Sequence, residues 1–265
     1  MGRPRMRPTS KTKGWFAIMA ETDGALAARL AAAAGDILLT LRQAGELDGK
    51  ALGQAGDAAA NAMLCREIRA ARPGDGLLSE EEKDQRARLD QSRVWIVDPL
   101  DGTREYGEGR SDWAVHVALA IDGVAAVGAV ALPGLGLTLT SDAPIPLAPA
   151  NTPPKMLVSR TRPAAEAVFV AEHMGAELLA MGSAGAKAMA VVRGEADIYL
   201  HTGGQYEWDN CAPAAVAIAA GLHVSRANGA PLRYNNPDTY LPDLLICQKE
   251  YASDVLRLAA EYSSG

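Results

Sequence analysis

Cysteine and histidine are both scarce in this sequence, which holds three cysteines and four histidines among 265 residues. The cysteines, Cys65, Cys211 and Cys247, are far apart and odd in number, so they do not indicate a disulfide framework. They are typical of reduced thiols in a cytosol, and the sequence predicts a cytoplasmic protein. No cysteines or histidines have the spacing of a zinc site. Oxygen ligands must therefore hold any metal ion.

Long apolar runs and a positive net charge are also missing. Apolar residues make up 48% of the chain, but no uninterrupted apolar stretch is long enough to cross a bilayer. The net charge of −6 argues against general nucleic-acid binding through the phosphate backbone. It does not exclude a small anionic substrate, because bound metal ions invert the local field.

The first twenty residues differ from the rest of the chain. Five basic residues lie between Arg3 and Lys13, and the apolar stretch that follows is shorter than a signal peptide requires. Residues 1–20 are therefore predicted to be a disordered basic arm, or an over-extended start with Met19 as the true initiator.

The N-terminal half predicts a mixture of helices and strands. Helical spacing runs from Leu26 to Leu41, a glycine-containing loop leads to Asp57, and a second helix covers residues 58–71. Alternating apolar residues on both sides of Asp122-Gly123 predict a hairpin. Residues 141–154 hold five prolines and no periodicity, which favours a domain junction. We predict an α+β metal-binding domain over 21–150.

The C-terminal half alternates between short strands and helices, as in α/β proteins. The predicted strands cover 156–159, 177–181 and 196–201, and the predicted helices cover 163–174, 184–192 and 210–220. A smaller α/β domain over 151–265 is expected to complete the site and to set specificity.

The run from Trp95 to Arg104 is the most informative part of the chain. Val94–Val97 reads as a short buried strand, after which Pro99 holds Asp98 extended at the strand tip. Asp101 lies across the turn, with the Leu100 carbonyl between the two aspartates. Gly102 and Thr103 can open a helix whose free N–H groups attract an anion. Mg²⁺-dependent phosphate chemistry is one interpretation, and an ordinary acidic turn is the other.

Three further acids have a functional and a structural interpretation. Glu80 follows an apolar pair but belongs to an acidic run typical of solvated loops. Asp57 and Asp209 each begin a predicted helix, where aspartate is a common N-cap.

Three motifs in order decide between these interpretations: residues 78–81 (Leu-Ser-Glu-Glu), 95–103 (Trp-Ile-Val-Asp-Pro-Leu-Asp-Gly-Thr) and 208–213 (Trp-Asp-x-Cys-Ala-Pro). Together they resemble the inositol monophosphatase superfamily of Mg²⁺-dependent, lithium-sensitive phosphatases. The resemblance extends from about residue 24 to 247. It implies the layered αβαβα sugar-phosphatase fold shared with fructose-1,6-bisphosphatase, and a homodimer.

The resemblance also implies roles for individual residues. The metal ligands for two or three Mg²⁺ ions would be Glu80, Asp98, the Leu100 carbonyl, Asp101 and Asp209. The Gly102 and Thr103 N–H groups would hold the scissile phosphate, and Thr103 with Asp57 would orient and deprotonate the attacking water. The family typically has Thr-x-x-Asp before this last aspartate, whereas this chain has Gly53-Gln54-Ala55-Gly56.

The segments 182–187, 208–213 and 229–234 resemble one branch, the 3′-phosphoadenosine-5′-phosphate phosphatases or 3′(2′),5′-bisphosphate nucleotidases of sulfate assimilation. Their substrate has a second phosphate, which Ser183, Lys187, His201 and Arg233 would serve. Alternatively, Lys187 is an ordinary surface lysine and His201 is a packed histidine with no role at the substrate. Activity on inositol 1-phosphate or fructose 1,6-bisphosphate is the alternative function. A regulatory binding protein with residual catalysis is a second alternative.

Overall fold

The computed structural model describes residues 21–264, and the predicted basic arm lies outside them. The helices are α1 Asp23–Ala44, α2 Gly49–Ala71, α3 Thr103–Gly107, α4 Ala165–Met174, α5 Ala184–Val192, α6 Glu207–Ala220 and α7 Lys249–Ser264. The strands are β1 Gly76–Ser79, β2 Arg93–Asp101, β3 Ala114–Ile121, β4 Val124–Leu132, β5 Leu137–Thr140, β6 Lys155–Ser159, β7 Glu177–Met181, β8 Ile198–His201, β9 Gln205–Tyr206, β10 His223–Ser225, β11 Tyr240–Leu241 and β12 Leu244–Cys247.

The strands form two five-stranded sheets and a ribbon of β9 and β11. The first sheet has the order β1-β2-β3-β4-β5, with β1 parallel to β2 and antiparallel pairing elsewhere. The second has the order β10-β12-β8-β6-β7, with β6 parallel to both of its neighbours. The proline-rich segment 141–154 connects the sheets without regular structure.

Helices and sheets stack in five layers. Along β2, Trp95 and Val97 face α1 and α2, whereas Val94 and Ile96 face a core shared with α5, α6 and the second sheet. The far side of the second sheet packs against α4 and α7. This order, α1/α2, sheet, α5/α6, sheet, α4/α7, is the predicted αβαβα arrangement.

Helix α1 shows why pattern and capping predict a helix well. The Thr22 hydroxyl accepts a hydrogen bond from the Ala25 N–H at 3.1 Å, and Gly45 ends the helix with φ of 68°. By length and composition α1 alone among the described helices could cross a membrane, which is weak evidence. Its residues Leu26, Leu30 and Leu38 lie in the core against α2 and the first sheet, as in a core helix.

Helix α2 begins earlier than predicted, at Gly49 instead of residue 58, so Asp57 lies inside the helix and is not an N-cap. The glycines were interpreted as loop residues, but packing selects them. A Cβ atom at Gly53 would lie 2.6 Å from Thr103 Cγ2, and one at Gly56 would lie 2.8 Å from Leu38 Cδ2. Gly53 thus lets α2 approach α3 closely, and Gly56 lets it approach α1.

Candidate active site

Four acidic side chains lie where the ends of different elements meet. Glu80 follows β1, and its N–H donates to the Val97 carbonyl of the parallel neighbour β2 at 3.3 Å. Asp98 and Asp101 lie near the end of β2, which continues beyond the predicted Val97 and shifts register against β3 between these two aspartates. Asp209 lies in the first turn of α6, which begins at Glu207 rather than at the predicted 210.

The carboxylates of Asp98, Asp101 and Asp209 form the centre of the site, with one oxygen of each within 4.8 Å of the others. The Asp98 side chain is only 1% exposed, and its Oδ1 accepts from the Leu100 N–H at 3.0 Å. Carboxylates this close repel one another unless cations or protons neutralise them.

The electrostatics of the cluster reflect that repulsion. Burial, followed by the charges of Glu80 and Asp101, raises the pKa of Asp98 well above its ordinary value. Burial and the charge of Asp101 raise the pKa of Asp209 to about 6. Glu80 is exposed as a residue, but partial burial of its carboxyl and the charge of Asp209 raise its pKa to about 7. The cluster is thus poised to bind protons or cations.

Asp101 differs because α5 supplies donors to it. The Ser183 hydroxyl donates to Oδ2, and the N–H groups of Ala184 and Gly185 donate at 3.1 and 2.6 Å. Burial alone would raise the pKa of Asp101, but His116 and these donors lower it to about 2. Ser183 has φ of +51°, a strained value for serine, and its hydroxyl also accepts from the Ala186 N–H. The start of α5 thereby fixes Asp101 as an anion.

Asp57 and Thr103 form a second pair beside the cluster. The Thr103 hydroxyl lies 3.2 Å from Asp57 Oδ2 and 3.1 Å from the Leu100 carbonyl oxygen. Asp57 Oδ1 is buried and has no hydrogen-bond partner within residues 21–264. Burial, followed by the charge of Glu81, raises the pKa of Asp57 to about 7. The Asp57 carboxyl can therefore exchange a proton near neutral pH.

Gly102 allows α3 to begin next to the cluster. Its φ is 89°, and a Cβ atom there would lie 3.1 Å from the Cβ of Ser183 and 3.3 Å from that of Trp113. A larger residue would be strained in this conformation. The first N–H groups of α3, including that of Thr103, have no partner within the helix.

His116 belongs to the site but was missed in the sequence. Its Nε2 lies 3.4 Å from Asp101 Oδ2, and its Nδ1 lies 2.9 Å from the Trp208 carbonyl oxygen. Burial disfavours the charged ring, yet Asp101 raises the pKa of His116 overall. As a polar residue in a strand of alternating apolar residues, His116 carried no motif that could have identified it.

The residues predicted to bind substrate do not all lie in one place in the structure. Lys187 is 5% exposed, and its Nζ donates to the carbonyls of Ser183 at 2.5 Å and Gly182 at 3.3 Å, so it is not a surface lysine. His201 ends β8, with Nε2 3.1 Å from the Gly204 carbonyl oxygen, and burial lowers its pKa. Arg233 is exposed in a different cavity, beside β4 and α6.

A cavity of about 420 Å³, here called the arginine pocket, adjoins the site. It is lined by Arg104, Glu105, Ser159, Arg160, Thr161, Arg162, Gly182, Ser183 and Lys187. Only Ser183 and Lys187 among these residues are predicted from the sequence, because the arginines carry no motif and come together only in the fold.

The donor set fits a divalent cation. The clustered oxygens of Asp98, Asp101 and Asp209 are hard ligands of the kind that Mg²⁺ prefers. Within residues 21–264 the buried Asp57 Oδ1 has no hydrogen-bond partner, which leaves it able to interact with a bound group.

Comparisons with known proteins agree with this geometry. The model of the inositol monophosphatase family matches residues 20–263. The 3′-phosphoadenosine 5′-phosphate phosphatase of Mycobacterium leprae is 49% identical over 255 residues, covering 91% of this chain and 94% of that protein. The 3′(2′),5′-bisphosphate nucleotidase CysQ of Escherichia coli is 30% identical, covering 71% and 81%.

A solved structure shares the fold. The crystal structure of CysQ from Bacteroides thetaiotaomicron, a bacterial member of the inositol monophosphatase family, superposes with a TM-score of 0.75 at 26% identity. The match covers 86% of this chain and 98% of that one. The family model, the relatives and the shared fold lead to one conclusion: the chain belongs to the inositol monophosphatase family and is a phosphatase.

Proposed function

We propose that this protein is a Mg²⁺-dependent phosphomonoesterase that hydrolyses the 3′-phosphate of 3′-phosphoadenosine 5′-phosphate, releasing AMP and inorganic phosphate. The observation that carries the proposal is the convergence of Asp98, Asp101 and Asp209, with oxygens within 4.8 Å of one another. The name of the mycobacterial relative at 49% identity supports this substrate.

The metal ligands in this proposal are Glu80, Asp98, the Leu100 carbonyl, Asp101 and Asp209, holding two or three Mg²⁺ ions. When bound, Mg²⁺ supplies Lewis-acid activation of the attacking water and of the phosphate. His116 and the start of α5 keep Asp101 ionised and fixed in orientation.

The remaining chemistry belongs to side chains and backbone of this chain. The Thr103 hydroxyl orients the attacking water, and Asp57 accepts the proton, for which a pKa of about 7 is well matched near neutral pH. The N–H groups of Gly102 and Thr103 at the start of α3 hold the scissile phosphate. No covalent intermediate on the protein is needed.

The proposal includes a role for Ser183, Lys187 and His201 at the substrate. Ser183 and Lys187 border the arginine pocket, whereas the position of Arg233 does not support such a role. Inhibition by Li⁺, a cytoplasmic location and a homodimer belong to the same proposal. Sedimentation velocity tests the last point, since a monomer at micromolar concentration would contradict it.

Comparing kcat/KM on three substrates tests the proposal. With Mg²⁺, the value for 3′-phosphoadenosine 5′-phosphate should exceed those for inositol 1-phosphate and fructose 1,6-bisphosphate by at least tenfold. A higher value for inositol 1-phosphate would replace the proposed substrate with that alternative. No turnover of any of the three would instead favour a regulatory binding protein.

A further inference from the structure

The arginine pocket lies directly beside the acidic cluster. Ser183 lines the pocket and donates its hydroxyl to Asp101, and Arg104 follows Thr103 in the sequence. A ligand that occupies the pocket can therefore belong to the same molecule whose phosphate lies against Gly102 and Thr103. The cavity of about 420 Å³ has room for a further phosphate group.

The charge of the pocket is strongly positive. Three arginines and Lys187 line it, against the single carboxylate of Glu105. This is the reverse of the acidic cluster and of the net charge of −6 for the whole chain. Such a local concentration of cationic donors favours a dianionic group.

The four cations differ in how far they are already engaged. Arg104 pairs with Glu108 at 2.8 Å, and Arg160 pairs with Glu105 at 2.8 Å and with Glu108 at 2.9 Å. These two guanidinium groups are thus partly neutralised before any ligand arrives.

Lys187 is engaged as well. Its buried Nζ donates to the carbonyls of Gly182 and Ser183 and lies 5.2 Å from the centre of the Tyr199 ring. Those bonds hold the strained turn at Ser183, which in turn fixes Asp101. Two of its three donors are thus used on the backbone, so Lys187 also acts as a positioning residue.

Arg162 is the cation that remains available. Within residues 21–264 its side chain forms no ion pair or hydrogen bond with another side chain, and only its backbone N–H is engaged, with the Ser159 hydroxyl at 3.3 Å. A guanidinium group offers five N–H donors in a fixed plane and binds phosphate oxygens two at a time. The charges of Arg162 and Lys187 both act on His201, which places the three residues in one neighbourhood.

We propose that the arginine pocket binds the second phosphate monoester of the substrate and that Arg162 is its principal ligand and a determinant of specificity. This inference rests on the proposed function, whose substrate has one phosphate to lose and another to retain. It differs from the expectation from sequence, which gave this role to Ser183, Lys187, His201 and Arg233 and did not include Arg162.

The test compares two nucleotides that differ only in the second phosphate. We expect the Arg162→Gln variant to raise KM for 3′-phosphoadenosine 5′-phosphate at least tenfold, while kcat changes less than threefold. The ratio of kcat/KM between this nucleotide and 3′-AMP should fall about tenfold. Arg257→Gln is the matched control, because Arg257 is exposed on α7 and pairs with Glu261, and it should retain the wild-type ratio.

Two outcomes overturn the inference. An equal loss of kcat/KM on both nucleotides would show that Arg162 does not recognise the second phosphate. Unchanged kcat and KM on both nucleotides would exclude the residue from binding altogether.

A binding measurement separates this inference from the proposed function. AMP carries only the retained 5′-phosphate, so calorimetric titration with AMP reports on the pocket without turnover. If the wild type hydrolyses neither nucleotide, the proposed function fails, yet at least tenfold weaker AMP binding by Arg162→Gln still supports the site. Equal AMP affinity in both proteins, or no AMP binding by either, contradicts it.

Discussion

Replacing Asp209 with asparagine should stabilise the metal-free protein while it abolishes catalysis. Burial and the neighbouring charge of Asp101 raise the pKa of Asp209 to about 6, whereas the unfolded chain has an ordinary aspartate. The folded state therefore binds more protons than the unfolded state between about pH 4 and 6, and stability is lost as the pH rises through that range.

The size of the effect follows from this difference. A shift of about two pKa units corresponds to about 3 kcal/mol of destabilisation at pH 7.5. Asp209 Oδ2 also accepts a hydrogen bond from the Tyr206 N–H at 2.6 Å. The bond to an asparagine would be weaker, which lowers the stability of the variant by about 1 kcal/mol. The net gain of about 2 kcal/mol should raise the midpoint of thermal unfolding by about 4–8 °C in a chain of this size.

Magnesium should reverse the order of thermal stability of the wild type and Asp209→Asn. Thermal unfolding is followed at pH 7.5 with a chelator and with excess Mg²⁺. With the chelator, the wild type should unfold at a lower temperature than Asp209→Asn. Mg²⁺ should raise the unfolding midpoint of the wild type much more than that of the variant, because a ligand that binds only the folded state stabilises that state.

Asp197→Asn is the matched control for this experiment. Asp197 is a buried aspartate that accepts from the N–H groups of Asn151 at 2.9 Å and Lys155 at 2.8 Å, and it does not belong to the cluster. Its loss should lower the midpoint with and without Mg²⁺. The reasoning is refuted if Asp209→Asn unfolds below the wild type without metal, or if Mg²⁺ stabilises both proteins equally.

Three further predictions follow from the same geometry. The raised pKa values of Asp57 and Glu80, both about 7, mean that the metal-free wild type should unfold at a higher temperature at pH 5 than at pH 7.5; the opposite order would contradict the charge repulsion. Asp57→Asn should lower kcat by about 10²–10⁴-fold with little change in KM, and a loss of less than tenfold in steady-state assays would exclude it as the base. Gly53→Ala should lower kcat about tenfold because the new Cβ would lie 2.6 Å from Thr103 Cγ2, whereas Gly74→Ala, which meets nothing within 4 Å, should leave kcat unchanged.

Local pattern was sufficient to predict much of the fold. The periodicity of α1, the hairpin between β3 and β4, and the alternation of strands and helices after residue 154 all appear where expected. Helix α2 was predicted with too late a start, and the strands β9 to β12 were not predicted, for different reasons. Helix α2 was shortened because glycines at 53 and 56 resemble a loop, whereas tertiary contact with Thr103 and Leu38 requires them. Strands β9 to β12 are too short to carry a periodic pattern.

Some residues of the candidate site could likewise be predicted from the sequence, and others could not. Asp98, Asp101 and Asp209 belong to motifs that resemble those of the inositol monophosphatase superfamily, and that resemblance implied the shared site in which their carboxylates meet. His116 could not be found this way, because its role comes from a contact with Asp101 across the sheet. The arginine pocket could not be found either, because Arg162 lines one cavity with residues of α3 and α5 only in the folded molecule.

Phosphate release from 3′-phosphoadenosine 5′-phosphate is the measurement that tests the central claim most directly. The wild type should release one phosphate per nucleotide and leave AMP, only while Mg²⁺ is present, with activity lost on chelation and restored by added Mg²⁺. The Asp98→Asn variant should be at least a hundredfold slower while it still folds. Turnover that persists in chelator, or that Asp98→Asn retains in full, would contradict a carboxylate-held metal as the basis of catalysis.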